Sequence, residues 1–167
     1  MNIRRIASLV AAVVFAAASV APAFAVTVSR VDGQPMNPNG EPFSASGLTS
    51  FGKKALNASC TVTFNGTITP AGIVNITSAQ FNGGSWCPLI SGTAGSASPW
   101  AGQMDSATQL SINNAQVDIK LFGPCGPSKL TAAWTDSNSS MTFNNAAWAP
   151  DCTLAGTLLT SPKLHAQ

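Results

Sequence analysis

The stretch Cys60-Thr61-Val62-Thr63-Phe64-Asn65-Gly66-Thr67-Ile68 decides the fold class. Apolar and polar residues alternate along it at a period of two, so Cys60, Val62, Phe64 and Ile68 share one face of an extended strand. The cysteine therefore points to the buried side. Pro70-Ala71-Gly72 supplies a turn, and Ile73 to Phe81 begins a second run rich in β-branched residues. Together they read as a hairpin.

The same signal recurs downstream. Ala115, Val117, Ile119 and Leu121 alternate against Gln116, Asp118 and Lys120, the pattern of a half-buried strand, and Gly123-Pro124-Cys125-Gly126-Pro127 breaks it. Lys129–Thr135, Met141–Asn145 and Cys152–Thr160 add further strands, with Asp136-Ser137-Asn138 as a turn. Leu154 and Leu158 share parity with Cys152, so that cysteine points inward too. No segment after residue 25 carries a 3.6-residue apolar stripe. The expectation is an all-β protein, an antiparallel sandwich or barrel of about eight short strands. The pattern does not separate the two architectures.

Cys60, Cys87, Cys125 and Cys152 are the four cysteines, spaced by 27, 38 and 27 residues. Close-spaced pairs and supporting histidines, which a metal site needs, are lacking. An even count in an exported chain points to two disulfides. Aligning Cys87 with Cys152 sets Ile76-Thr77 against Met141-Thr142 and Leu89 against Leu154. These matches hint at two related halves and favour Cys60–Cys87 with Cys125–Cys152 over the crossed connectivities.

Export is read from the N-terminus. Arg4 and Arg5 precede an apolar run from Ile6 to about Val20, and Ala21-Pro22-Ala23-Phe24-Ala25 offers an Ala-x-Ala cleavage site. Residues 1–25 are expected to be a cleavable secretory signal. Residues 26–42, with Pro35, Pro38, Pro42, Asp32-Gly33 and Asn39-Gly40, read as a polar lead-in with at most a short strand at Val26–Val31. Residues 43–167 read as a single β domain. No later segment is apolar enough to cross a bilayer.

Beyond residue 25 six bases (Arg30, Lys53, Lys54, Lys120, Lys129, Lys163) balance six acids (Asp32, Glu41, Asp105, Asp118, Asp136, Asp151). A neutral chain with no basic stripe lacks the phosphate-neutralising term of nucleic-acid binding and the clusters that hold proteins to anionic membranes. Catalytic patterns are equally sparse. No G-x-S-x-G elbow, H-E-x-x-H helix, calcium loop or phosphate loop occurs. The one histidine, His165, sits in the C-terminal tail, where it reads as a frayed residue rather than a general base. No catalytic residue, metal site or cofactor is expected.

Aromatic side chains are the better lead. The chain has four tryptophans and no tyrosine. Trp86, Trp100 and Trp148 stand beside Gly, Pro, Ser or Ala, as loop or strand-end residues do, and are candidates for binding an apolar ligand or seating the protein at an interface. Core packing is the competing role for each. Trp134 shares parity with Leu130 and Ala132 and belongs to the core.

Phe43-Ser-Ala-Ser-Gly47, Cys60-Thr-Val-Thr-Phe-Asn-Gly66, Ile76 to Phe81 ahead of Cys87, Gly123-Pro-Cys-Gly-Pro127 and Cys152-Thr-Leu-Ala-Gly-Thr-Leu158 together resemble a family of small exported bacterial proteins, the activators of alkane oxidation (PraB-like). The resemblance runs from Phe43 to Leu164. It implies an extracellular, non-catalytic accessory protein that promotes growth on long-chain alkanes by dispersing or capturing hydrocarbon. Its implied partner is a hydrocarbon or other apolar surface. Self-association is the expectation of an alternative reading, a pilin-like or matrix-forming adhesive subunit that adds strands at an open sheet edge. A small secreted hydrolase is a third reading, and it needs a cluster of acids or serines that spacing alone does not reveal.

Overall fold

The computed structural model describes residues 26–167, so the expected export signal lies outside the described residues. The strands are β1 (Val28–Arg30), β2 (Glu41–Lys53), β3 (Leu56–Ile68), β4 (Ile73–Gly83), β5 (Ile90–Gly92), β6 (Trp100–Ser106), β7 (Gln109–Ile119), β8 (Gly123–Thr135), β9 (Ser140–Trp148), β10 (Cys152–Ser161) and β11 (Leu164–Ala166). A short 3₁₀ turn, Cys87–Leu89, interrupts them between β4 and β5.

The architecture left open by the pattern is a closed antiparallel barrel of eight strands. Going round the wall, β2, β3, β4, β6, β7, β8, β9 and β10 each pair with the next, and β10 returns to β2. Chain neighbours are thus wall neighbours, with β5 the single insertion. β5 pairs with Val117–Ile119 of β7, beyond the point where β6 leaves it. Closure satisfies backbone groups that an open sheet would leave unpaired at its edges.

Alternation along each strand sends one set of side chains inside. Phe43, Ala45, Thr49 and Phe51 of β2 and Ala58, Cys60, Val62 and Phe64 of β3 are buried, as are their counterparts round the wall. The hairpin expected over Cys60–Phe81 is the β3–β4 pair, shifted once in register at Asn65/Gly66. Edge-to-face aromatic contacts link Phe81, Phe51, Trp148, Trp100, Phe64 and Phe143, with ring centroids 5.8–6.5 Å apart. Side chains fill the middle, as expected for so narrow a barrel. At Gly47 and Gly66 a Cβ would come within 2.0 Å of the carbonyl oxygens of Thr157 and Asn75. Only glycine lets the neighbouring strands approach so closely where the wall curves.

The two ends are closed differently. At one, the ribbon end, β1 and β11 pair and lie across the opening, burying Val28, Leu164 and Ala166. Val28 N–H donates to the Pro70 carbonyl (2.8 Å), and the buried Ser139 hydroxyl donates to the Leu164 carbonyl. At the other, the stapled end, both disulfides sit just inside the rim. They are Cys60–Cys87 and Cys125–Cys152, with Cα separations of 5.7 and 6.0 Å.

Several sequence expectations need correcting. β7 ends at Ile119, and Leu121 stands in the following turn, 91% exposed, rather than completing the buried alternation. Gly123-Pro-Cys-Gly-Pro127 does not end the β structure but opens β8. There Gly126-Pro127 bulges against Gln116, between the pairs Val117↔Cys125 and Ala115↔Ser128. A bulge tolerates the missing proline N–H. His165 is no frayed residue, since it lies in β11 opposite Ser29.

Candidate functional site

The stapled end carries the most exposed large apolar side chain, Leu121, together with a half-exposed indole, and its local sequence explains why. β4 runs out at Gly83-Gly84, and the Cys87 N–H donates to the Gly84 carbonyl (3.0 Å), turning the chain across the rim. Pro88 starts the 3₁₀ turn, and the bridge from Cys87 to Cys60 fastens it to β3. Trp86, immediately before Cys87, is thereby held on the outside, 43% exposed.

Phe122 meets it from the β7–β8 turn. The two rings lie edge to face, centroids 6.1 Å apart. The Lys120 N–H donates to the Leu89 carbonyl (3.0 Å), tying this turn to the segment that carries Trp86. Leu121 projects between Lys120 and Phe122 with φ +78°. A left-handed non-glycine residue costs roughly 1–2 kcal/mol. Nothing packed against Leu121 offsets that, because its side chain stands in solvent.

Two hollows adjoin the indole. One, of about 330 Å³, is lined by Ala55, Leu56, Asn57, Trp86 and Phe122. The other, of about 190 Å³, is lined by Asn57, Ala58, Ser59, Gly84, Ser85, Trp86 and Cys87. A third hollow, of about 260 Å³, opens on the wall among Thr108, Gln109, Thr131, Ala132, Ala133, Thr142 and Asn144, with no aromatic side chain. None of the three is lined by an acid, a base or a free thiol. The first two present apolar, amide and serine hydroxyl groups around an aromatic edge, a surface suited to apolar contact.

Behind this surface lies Lys53, which the sequence reading passed over. It continues the inward parity of Thr49 and Phe51 and is buried. Its Nζ donates to the Pro124 carbonyl (2.6 Å) and pairs with Asp151 at 3.1 Å, beside the Cys125 sulfur. The lysine ties the end of β2 to the start of β8 and to the β9–β10 turn. The signal for it was its shared parity with Phe43, Ala45 and Phe51.

Of the three candidate tryptophans, the structure leaves only Trp86 at the surface. Trp100 and Trp148, 2% and 0% exposed, are core residues and not interface candidates. Trp100 shares inward parity with Met104, and its indole N–H donates to the Thr93 hydroxyl (3.3 Å). The Trp148 indole N–H donates to the Ala115 carbonyl (2.9 Å). With each N–H partnered, burial of the ring is favourable. Their small neighbours mark strand ends, not exposed loops.

Charge gathers at the ribbon end. Arg30 bridges Asp32 (2.5 Å) and Glu41 (2.6 Å), and the Arg30 hydrogen bonds hold the Asp32 carboxyl down at about 2. Burial pushes the Asp136 pKa up. Hydrogen bonds from the Ala166 N–H and the Trp134 indole, with His165 in contact, outweigh it and leave Asp136 below the usual carboxylate range. These contacts fasten the ribbon, and none lines the three hollows described.

No group of three or more His, Cys, Asp or Glu is gathered as a metal site among the described residues. No helix there is long and apolar enough to cross a membrane. The two disulfides suit an oxidising, exported environment. Among known protein families, the one described as alkane oxidation protein activator PraA/PraB-like matches residues 1–167. No curated protein and no solved structure matches.

Proposed function

This chain belongs to the PraA/PraB-like family of alkane oxidation activators, and on that premise we propose that it is an exported, non-catalytic accessory protein that meets hydrocarbon through the stapled end of its barrel. Trp86, Phe122 and Leu121 are the contacting side chains. The observation that carries the reading is Leu121, exposed and held in an unfavourable backbone conformation beside the half-exposed Trp86. Strained backbone that its surroundings hold, here the turn the Phe122 N–H closes on the Ile119 carbonyl (3.1 Å), clusters at functional sites. An indole, a phenyl ring and a leucine at one end form an apolar tip. The wall behind it is polar outside and apolar inside, the reverse of a barrel that faces lipid along its length. Such a molecule orients at an oil–water boundary and lowers its tension.

The expected N-terminal signal and the paired cysteines both support a site of action outside the cytoplasm. Barrel closure weighs against the alternative of a pilin-like subunit built by strand addition, because each long wall strand has ladder partners on both sides. The measurement is hexadecane–water interfacial tension with purified protein. The protein should lower the tension, and a Trp86→Ser/Leu121→Ser variant of equal stability should lose most of the effect. No change in tension with the unaltered chain overturns the reading.

A further inference from the structure

The two bridges of the stapled end close loops of equal length, each joining residues 27 apart, but they sit in different electrostatic surroundings. Around Cys60–Cys87 the neighbours are neutral. Among the described residues no charged side chain hydrogen-bonds to either sulfur, and the Cys87 sulfur lies 3.3 Å from the Ser59 carbonyl oxygen. The Cys125–Cys152 bridge lies between opposite charges. The ammonium of the buried Lys53 is 3.9 Å from the Cys125 sulfur, and the Asp151 carboxylate is 3.8 Å from the Cys152 sulfur.

An ammonium has three donors. Lys53 directs one at the Pro124 carbonyl and one at Asp151, which leaves the third for Cys125. Lys54 also pairs with Asp151, at 3.7 Å, so two lysines face one acid and positive charge is in excess beside this bridge. Cys125 has no exposed surface, whereas Cys152 is 3% exposed, next to the β9–β10 turn.

The geometry points to Cys125–Cys152 as a site of thiol–disulfide exchange, opened by a dithiol reductant while Cys60–Cys87 stays closed. One thiolate of the dithiol attacks the Cys152 sulfur. A bond forms between that sulfur and the reductant, the Cys125–Cys152 bond breaks, and its electron pair leaves on Cys125 as a thiolate facing the Lys53 ammonium. The second thiolate of the reductant then attacks the mixed disulfide and expels Cys152, which takes up a proton beside Asp151. The reductant departs as its disulfide, having lost two electrons to the bridge; of its two protons one ends on Cys152 and one in solvent. A cation beside the departing sulfur stabilises the thiolate and speeds its departure. Cys60–Cys87 has no such cation. Reduction unlinks the start of β8 from the start of β10 and leaves the Trp86 segment stapled to β3.

Graded ratios of reduced to oxidised dithiothreitol, followed by acid quench, alkylation and peptide mass spectrometry, read each bridge separately. Cys125–Cys152 should open at a ratio roughly tenfold lower than Cys60–Cys87, a gap of about 30 mV for a two-electron couple. Lys53→Met, which removes the charge and keeps the length of the side chain, should erase that gap, and Lys53→Arg should keep it. Circular dichroism identifies the folded variants. If Lys53→Met does not fold, the unaltered chain reduced at Cys125–Cys152 alone carries the test. The ultraviolet absorbance of its thiolates should rise in a step below the ordinary cysteine pKa of about 8.5. Bridges that open together, Cys60–Cys87 opening first, a gap kept in folded Lys53→Met, or no thiolate step below about 8.5 overturns the inference. The exchange uses neither Trp86 nor Leu121, so it fails separately from the hydrocarbon reading.

Discussion

The ribbon end and the stapled end solve the same problem, closing a barrel whose middle is full of aromatic rings, by different chemistry. The ribbon end uses backbone pairing between β1 and β11, with Arg30, Asp136 and Ser139 as polar fastenings. The stapled end uses two covalent bridges and a buried lysine, and leaves Trp86 and Leu121 in solvent. Polar fastenings suit an end that only has to stay shut. Covalent ones fix the segment that carries Trp86 against the rim whatever its side chains expose. The contrast teaches that exposed apolar groups occur at both ends, Val31 and Ile73 at the one held by hydrogen bonds and Trp86 and Leu121 at the one held by disulfides.

The sharpest way to break the comparison is to exchange roles among the tryptophans. Trp148→Ala, in the shared core, should lower stability by about 3–5 kcal/mol, since it removes a whole buried ring. Trp86→Ala should cost only about 1 kcal/mol, the order of the single aromatic pair it makes with Phe122. Urea unfolding read by circular dichroism checks both, and similar losses for the two would deny that the sites differ. Replacing Cys60 and Cys87 by alanine should cost roughly 3 kcal/mol through the lost loop closure. The same change should free the Gly84–Pro99 segment to proteolysis while the ribbon stays protected. Lys53→Ala leaves the Pro124 carbonyl without its charged donor and should cost about 1–3 kcal/mol.

Smaller effects sharpen the contrast. Asp136 has a depressed pKa in the folded chain, so its contribution is full above its unfolded value of about 3.9 and is lost as pH falls through the folded value. The ribbon should therefore loosen in acid, while the disulfides keep the stapled end joined. The Trp134 indole N–H resonance, which reports on the Asp136 hydrogen bond, should shift below about pH 4 and stop doing so in Asp136→Asn. Leu121→Gly should relieve the left-handed strain and gain up to about 1 kcal/mol, at the expense of interfacial activity.

Much of this was legible in the residues. Alternation over Cys60–Ile68 gave the strand, its buried face and the inward cysteine, and the matched spacings gave the bridges. What alternation could not give was closure, because a period of two reads the same in a sandwich and in a barrel. It also failed at Leu121, where the turn begins two residues early, and at Gly126-Pro127, where a bulge absorbs what looked like a break. For the tryptophans, small neighbours suggested exposure at three positions. Only at Trp86 does the chain leave the wall; at Trp100 and Trp148 inward parity and a partner for the indole N–H decide for the core. Lys53 was hidden by its type, since a lysine is read as surface even when its parity points inside.

The central claim, that the stapled end touches hydrocarbon, is tested most directly by quenching. Trp86 is the one half-exposed indole in the described chain, so 1-bromohexadecane droplets should quench its fluorescence and leave the buried three largely unaffected. Quenching that disappears in Trp86→Phe is the expected result. Quenching that persists undiminished in Trp86→Phe, or none in the unaltered protein, would contradict it.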